Sequence, residues 1–117
     1  MFRVERVFDL AVSEVEDKLK GELEKRGLKP IMELTPSDIV KNKLDKDIPP
    51  YRILYICNPA DFYNMMDNAY DIGSFAPCPI VIYEKDGKTH LVVNVCDEVV
   101  DILKEPLERA KEAIMAI

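Results

Sequence analysis

Residues 79–95 read PIVIYEKDGKTHLVVNV: two runs rich in β-branched and aromatic residues on either side of Lys85-Asp86-Gly87-Lys88. A two-residue turn between antiparallel strands needs positive φ at both central positions, and Asp-Gly meets that need. Counting outward from Asp86-Gly87 sets the register. Lys85 faces Lys88, Tyr83 faces His90, Ile82 faces Leu91, Ile80 faces Val93 and Cys78 faces Val95. Side chains alternate between the two sides of a pleated sheet. One face therefore reads Cys78, Ile80, Ile82, Leu91, Val93, Val95, all apolar. The other reads Val81, Tyr83, His90, Val92, Asn94, Cys96, half apolar and half polar. A face of that mixed kind suits a partner subunit or a ligand groove. Val92→Asp is accordingly expected to disturb assembly more than folding.

Upstream, YRILYICNPADFY (residues 51–63) is apolar as far as Cys57 and then changes character. Ile53, Tyr55 and Cys57 point one way, Leu54 and Ile56 the other, which predicts a strand covered on both faces. Asn58 suits a helix N-cap and Pro59 the first helical position. Phe62, Met65, Met66 and Ala69 stripe the helix that follows. Lys46 to Pro50 is a loop, because Pro-Pro cannot join a ladder.

The N-terminal third alternates period. Phe2 to Phe8 has strand alternation; Val12, Val15, Leu19 and Leu23 then fall on one helical stripe. Ser13 and Glu16 have capping-box spacing, with Asp9 as an alternative cap, and Gly27 stops the helix. Residues 28–35 predict a second strand whose Pro30 places it at an edge or a bulge. Residues 37–44, SDIVKNKL, form a short helix opened by Pro36 and Ser37. At the other end, Asp97 to Lys104 is helical. Pro106 is best placed at the first position of a final helix striped by Leu107, Ala110, Ile114 and Ile117. The order is β-α-β, short helix, β, helix, β-β, helix. It predicts an α+β single domain over residues 1–117 with a five-stranded, mainly antiparallel sheet and flanking helices.

With 117 residues the chain needs no staple to bury a core. Its net charge of -6 argues against a nucleic-acid partner, since phosphate contacts run on clustered Lys and Arg. No apolar run approaches the length of a membrane span, and the charged first residues are unlike a signal peptide. Three cysteines without a leader point to a cytoplasmic protein with reduced thiols.

PPYRILYICNPADFY, then DIGSFAPC, then VIYEKDGK together resemble the family catalogued as domain of unknown function 302. The matching blocks are Pro49 to Leu54, Cys57 to Pro59, Ile72-Gly73, Pro77-Cys78 and Ile82 to Glu84, and the likeness covers nearly the whole chain. The resemblance implies a TBP-like β-α-β4-α sheet, here with short extra helices after strands two and three, and a homodimer. It implies no activity. One departure is Pro79, where the family commonly carries a polar residue.

The candidate site lies where strand 51–57 ends. Cys57 sits beside a helix start whose amides and dipole lower a thiol pKa. Asn58, Pro59 and the loop from Gly73 to Cys78, with Ile72, Ser74, Phe75 and Pro77, complete it. Cys57 would be a thiol contact, and Asn58 with neighbouring amides an anion-tolerant rim. Against this stands the plain reading of Cys57 and Cys78 as small buried hydrophobes. A reversible Cys57–Cys78 pair is a further option if the two strands are neighbours. Cys57, Cys78, His90 and Cys96 have 20, 11 and 5 residues between successive members, which matches no zinc pattern, so no metal is expected. No cofactor motif and no catalytic constellation is present. Arg52 could anchor a carboxylate, or simply join a surface ion pair. The expectation is a homodimeric ligand-binding or sensing module. The alternatives are a thiol redox protein using Cys57 with Cys78, and a purely structural assembly subunit.

Overall fold

A computed structural model describes residues 1–67, 69–74 and 78–117; the side chain of Glu98 is also outside the description. Strand β1 (Phe2–Phe8) leads into helix α1 (Val12–Glu24), then β2 (Lys29–Leu34) and α2 (Pro36–Leu44). Strand β3 (Tyr51–Cys57) follows, then α3 (Pro59–Met66) and a single 3₁₀ turn (Ile72–Ser74). The hairpin β4 (Cys78–Lys85) and β5 (Lys88–Val95) precedes α4 (Asp97–Val100) and α5 (Lys104–Met115). The strands form one sheet in the spatial order β1-β5-β4-β3-β2, and every pairing is antiparallel. The α+β architecture is as expected.

The hairpin register is the one counted from the turn: Lys85 pairs with Lys88, Tyr83 with His90 and Ile82 with Leu91. Asp86 and Gly87 both have positive φ, 54° and 77°. Gly27 ends α1 at φ 73°, the left-handed exit the sequence predicts. Pro30 sits on edge strand β2 next to an irregularity in register between Pro30 and Met32, so both expectations for it hold.

One continuous apolar core joins the helices to one side of the sheet. Val15, Leu19 and Leu23 of α1, and Leu107, Ala110, Ala113 and Ile114 of α5, pack with Val4, Leu54, Ile56, Ile80, Ile82, Leu91, Val93 and Val95. Phe62, Met65 and Met66 of α3 lean on the same cluster. The guanidinium of Arg6 fastens the chain end to β1, donating to the carbonyls of Ile114 at 3.0 Å and Ile117 at 2.6 Å. Helix α2 buries no residue; it stands at the end of the sheet, where Tyr51 N donates to Ser37 Oγ at 3.2 Å.

Several local expectations are corrected. Among the described residues, strand β3 is covered on one face only. Leu54 and Ile56 are buried, whereas Ile53, Tyr55 and Cys57 remain partly exposed, because α1, α3 and α5 all serve the other side. The N-cap of α1 is Ala11, and no side chain caps it. Glu16 is held instead by Arg52, and Asp9 by Lys88. Pro106 is the third residue of α5, not the first; the opening turn of a helix tolerates proline because its amides have no intrahelical acceptor. Val92 is only 6% exposed, although it lies outside the core cluster. Val92→Asp would therefore bury a charge and is no clean probe of assembly.

Candidate functional site

The junction Cys57-Asn58-Pro59 is organised by one amide group. Asn58 Oδ1 accepts from the N–H of Asp61 at 3.0 Å, capping α3. Its Nδ2 donates to the carbonyl of Gly27 at 2.6 Å, at the exit of α1. Gly27 is fixed by two constraints at once: its φ of 73° disfavours a side chain, and an added Cβ would stand 3.3 Å from Asn58 Nδ2. Three residues after Asn58, Asp61 is 8% exposed and receives a bidentate bond from Arg109 of α5, at 2.6 and 3.1 Å. Asn58 and Asp61 thus tie α1, α3 and α5 together within one turn of chain.

That arrangement removes most of the expected anion rim. Pro59 has no N–H, the amide of Asp61 is taken by Asn58, and the Asp61 carboxylate sits in the first turn. The thiol responds accordingly. Burial first, and the Asp61 carboxylate second, push the Cys57 thiol up from its ordinary value, opposite to the shift expected of a helix start. Burial alone pushes Cys78 up to about 12. All three cysteines are free. Cys78 pairs with Ile56 in register and shares its core face, whereas Cys57 continues the Ile53–Tyr55 face.

Cys57, Asn58 and Cys78 do border one cavity, with Ile56, Asp61 and Met65, but its volume is about 10 Å³. That is room for at most one water. Pro59 and Gly73 do not line it and are exposed. Phe75 and Pro77, expected to shape the same loop, lie outside the described residues. No group of three or more His, Cys, Asp or Glu side chains suited to a metal ion occurs among the described residues.

A much larger opening lies elsewhere, between the start of α1, α2 and the start of β3. It measures about 680 Å³, within the usual range of small-molecule sites. Val12 and Ile48 give it apolar walls, Tyr51 also borders it, and Ser13, Lys41 and Arg52 add polar groups. Arg52 is held by Glu16 at 2.7 Å, by Thr35 Oγ1 and by Glu33 at 3.5 Å. Sequence reasoning singled out Arg52 and the loop before Pro50, but nothing in the spacing of Ser13, Lys41 and Arg52 signals that they converge.

On the helix-free face, three rings stand in a row across the strands. Tyr51 and Tyr83 stack at 5.4 Å between centroids, and Tyr83 and His90 at 5.0 Å with planes 1° apart. Around them lie the partly exposed Ile53, Tyr55 and Val81, and the exposed Val7 and Met32.

The model of the family described as "Domain of unknown function DUF302" matches residues 4–117. The chain belongs to this family. Among solved structures, the chain is similar to the crystal structure of an uncharacterized conserved protein DUF302 from Bacillus stearothermophilus. The TM-score is 0.80 at 21% sequence identity, over 99% of this chain and 94% of that one. That likeness shows the fold. No curated protein matches the chain.

Two outcomes follow. Asn58→Asp keeps an acceptor for the α3 cap but sets a carboxylate oxygen against the Gly27 carbonyl; denaturant unfolding should show a loss of roughly 1–2 kcal/mol. An unchanged midpoint would mean the Nδ2 bond contributes nothing. In the native protein, alkylation of Cys57 should accelerate only above pH about 8.5, with Cys78 slower still. A half-maximal rate near neutrality would contradict the burial argument.

Proposed function

We propose that the protein is a homodimeric small-molecule-binding module that assembles through the helix-free face of its sheet. The observation that carries this reading is that face itself: Tyr51, Ile53, Tyr55, Val81 and Tyr83 lie across two adjacent strands, and the described helices pack on the other face. Monomeric proteins seldom leave a broad apolar sheet surface to water. A second copy related by a two-fold axis would present the same surface in return. Sheet-on-sheet packing then covers both copies with side chains already matched in chemistry.

The ligand is assigned to the 680 Å³ opening beside α1 and α2. Tyr51 belongs to both regions: its ring joins the aromatic row, and the residue lines the opening. Occupancy of one is thereby connected to packing at the other. The cavity at Cys57 and Cys78 has no such room, and the raised thiol values give a redox role less support. Three free cysteines support a reducing, cytoplasmic setting. Among the described residues, no helix is long and apolar enough to cross a membrane.

Sedimentation and a thermal-shift screen test both halves. Wild type is expected to sediment as a dimer, and Ile53→Arg as a folded monomer with its melting temperature nearly kept. Metabolite pools should contain a compound that raises the melting temperature. Ser13→Trp, which fills the opening, should abolish that shift, and Cys57→Ala should leave it. The reverse pattern would move the ligand back to the thiols. A wild type that stays monomeric, or flat melting curves across the pools, would remove the corresponding half.

A further inference from the structure

The charges around the opening beside α1 and α2 restrict what it can hold. Its charged lining is Glu16, Asp38, Asp47, Lys41 and Arg52. Each of the two cations is already engaged by two carboxylates. Arg52 Nε donates to Glu16 at 2.7 Å, and its Nη2 lies 3.5 Å from Glu33. Lys41 Nζ lies 3.1 Å from Asp45 and 3.5 Å from Asp47. Lys20 completes the group, 2.6 Å from Glu33 and 3.5 Å from Glu16. The carboxylates Glu16, Glu33, Asp38, Asp45 and Asp47 thus stand against the cations Lys20, Lys41 and Arg52. Asp38, in the first turn of α2, is the charged lining side chain with no ion pair or hydrogen bond among the described residues.

We propose that the ligand of this opening is a small organic cation: a protonated amine held by Asp38, with a hydrocarbon body lying against Ile48 and Pro50. The proposal rests on the assignment of the ligand to this opening, made above. Ile48 and Pro50 are exposed, so the walls offer uncovered hydrocarbon beside the unpaired carboxylate. A mostly apolar lining with a few placed polar groups suits a molecule with one charged end. Ser13, at the start of α1, adds a hydroxyl without a partner among the described residues.

The opposite charge fits poorly. An anion would have to draw Arg52 or Lys41 away from carboxylates that already hold them, and would meet Asp38 uncompensated. The starts of α1 and α2 both border the opening and favour anions, but each supplies only about half an elementary charge. Together they offset about one of the two excess carboxylates, so the opening stays negative. A cleft with one prevailing sign of charge concentrates ions of the other sign, and salt weakens the effect.

Titration of the nitrogen-15-labelled chain with hexylamine, hexanoate and hexanol, which share one hydrocarbon body, tests this by amide chemical shifts near neutral pH. Hexylamine should shift the amides of Ser13, Lys41 and Ile48 and bind about tenfold more tightly than hexanoate, or better. Asp38→Asn should weaken the amine about fivefold. Lys41→Gln, at a half-exposed position, should tighten it by a similar factor, because it releases Asp45 and Asp47. Ser13→Trp should abolish the shifts. Hexanoate bound as tightly as hexylamine at the same amides overturns the proposal while leaving the opening as the ligand site. So does an amine affinity that neither Asp38→Asn nor Lys41→Gln moves. Shifts that survive Ser13→Trp, or amides of the opening that respond to none of the three compounds, remove the opening as the site and the proposal with it. Lys41→Gln carries the test on its own if Asp38→Asn does not fold.

Discussion

A five-stranded sheet has two faces, and the described helices serve only one of them. Helices α1, α3 and α5 converge on Leu54, Ile56, Ile80, Ile82, Leu91 and Val93, and no apolar helix is left for the reverse side. Side-chain alternation along each strand does the rest. What faces away from α1 on β3, β4 and β5 includes the aromatic row and its partly exposed apolar neighbours Ile53, Tyr55 and Val81, beside polar groups such as Asn94. The hydrophobic effect penalises that surface in water and favours its removal, so the assembly proposal follows from the placement of three helices.

The cysteine at the end of β3 looked, as sequence, like the reactive centre. Its surroundings make it part of a joint instead. Asn58 spends both ends of its amide on backbone groups from different elements, and Asp61 is neutralised by Arg109. A helix start dressed in this way has little left to offer a thiolate. The Cys-Asn-Pro sequence is therefore read as the fastening of α3 between α1 and α5, with Cys57 a neighbour of that fastening. Burial and a nearby carboxylate both act against ionisation, which is why its thiol moves upward.

Much of the fold was legible in local patterns. The Asp86-Gly87 turn set the register of β4 and β5 by counting, Gly27 marked the exit of α1, and Pro30 marked an edge. These are short-range constraints, written in residues that only certain backbone angles accept. What was illegible depends on long-range partners. Glu16 had the spacing of a capping residue but is claimed by Arg52, thirty-six positions away in sequence. Apolar residues on both sides of β3 suggested two covers, yet alternation cannot say whether the second cover belongs to the same chain. Ser13, Lys41 and Arg52 come from three separate segments, so their shared opening has no local signature. Asn58 was recognised as a cap through Oδ1; its second bond to Gly27 needed the fold.

The most direct test is a mixed sample of methyl-labelled and unlabelled protein examined for intermolecular NOEs. Contacts between copies should connect Ile53, Val81 and Val7 methyls with the rings of Tyr51, Tyr55 and Tyr83, and should leave the α1 and α5 methyls silent. Intermolecular contacts confined to the helical side, or none at concentrations where the chain is a dimer, would contradict the account.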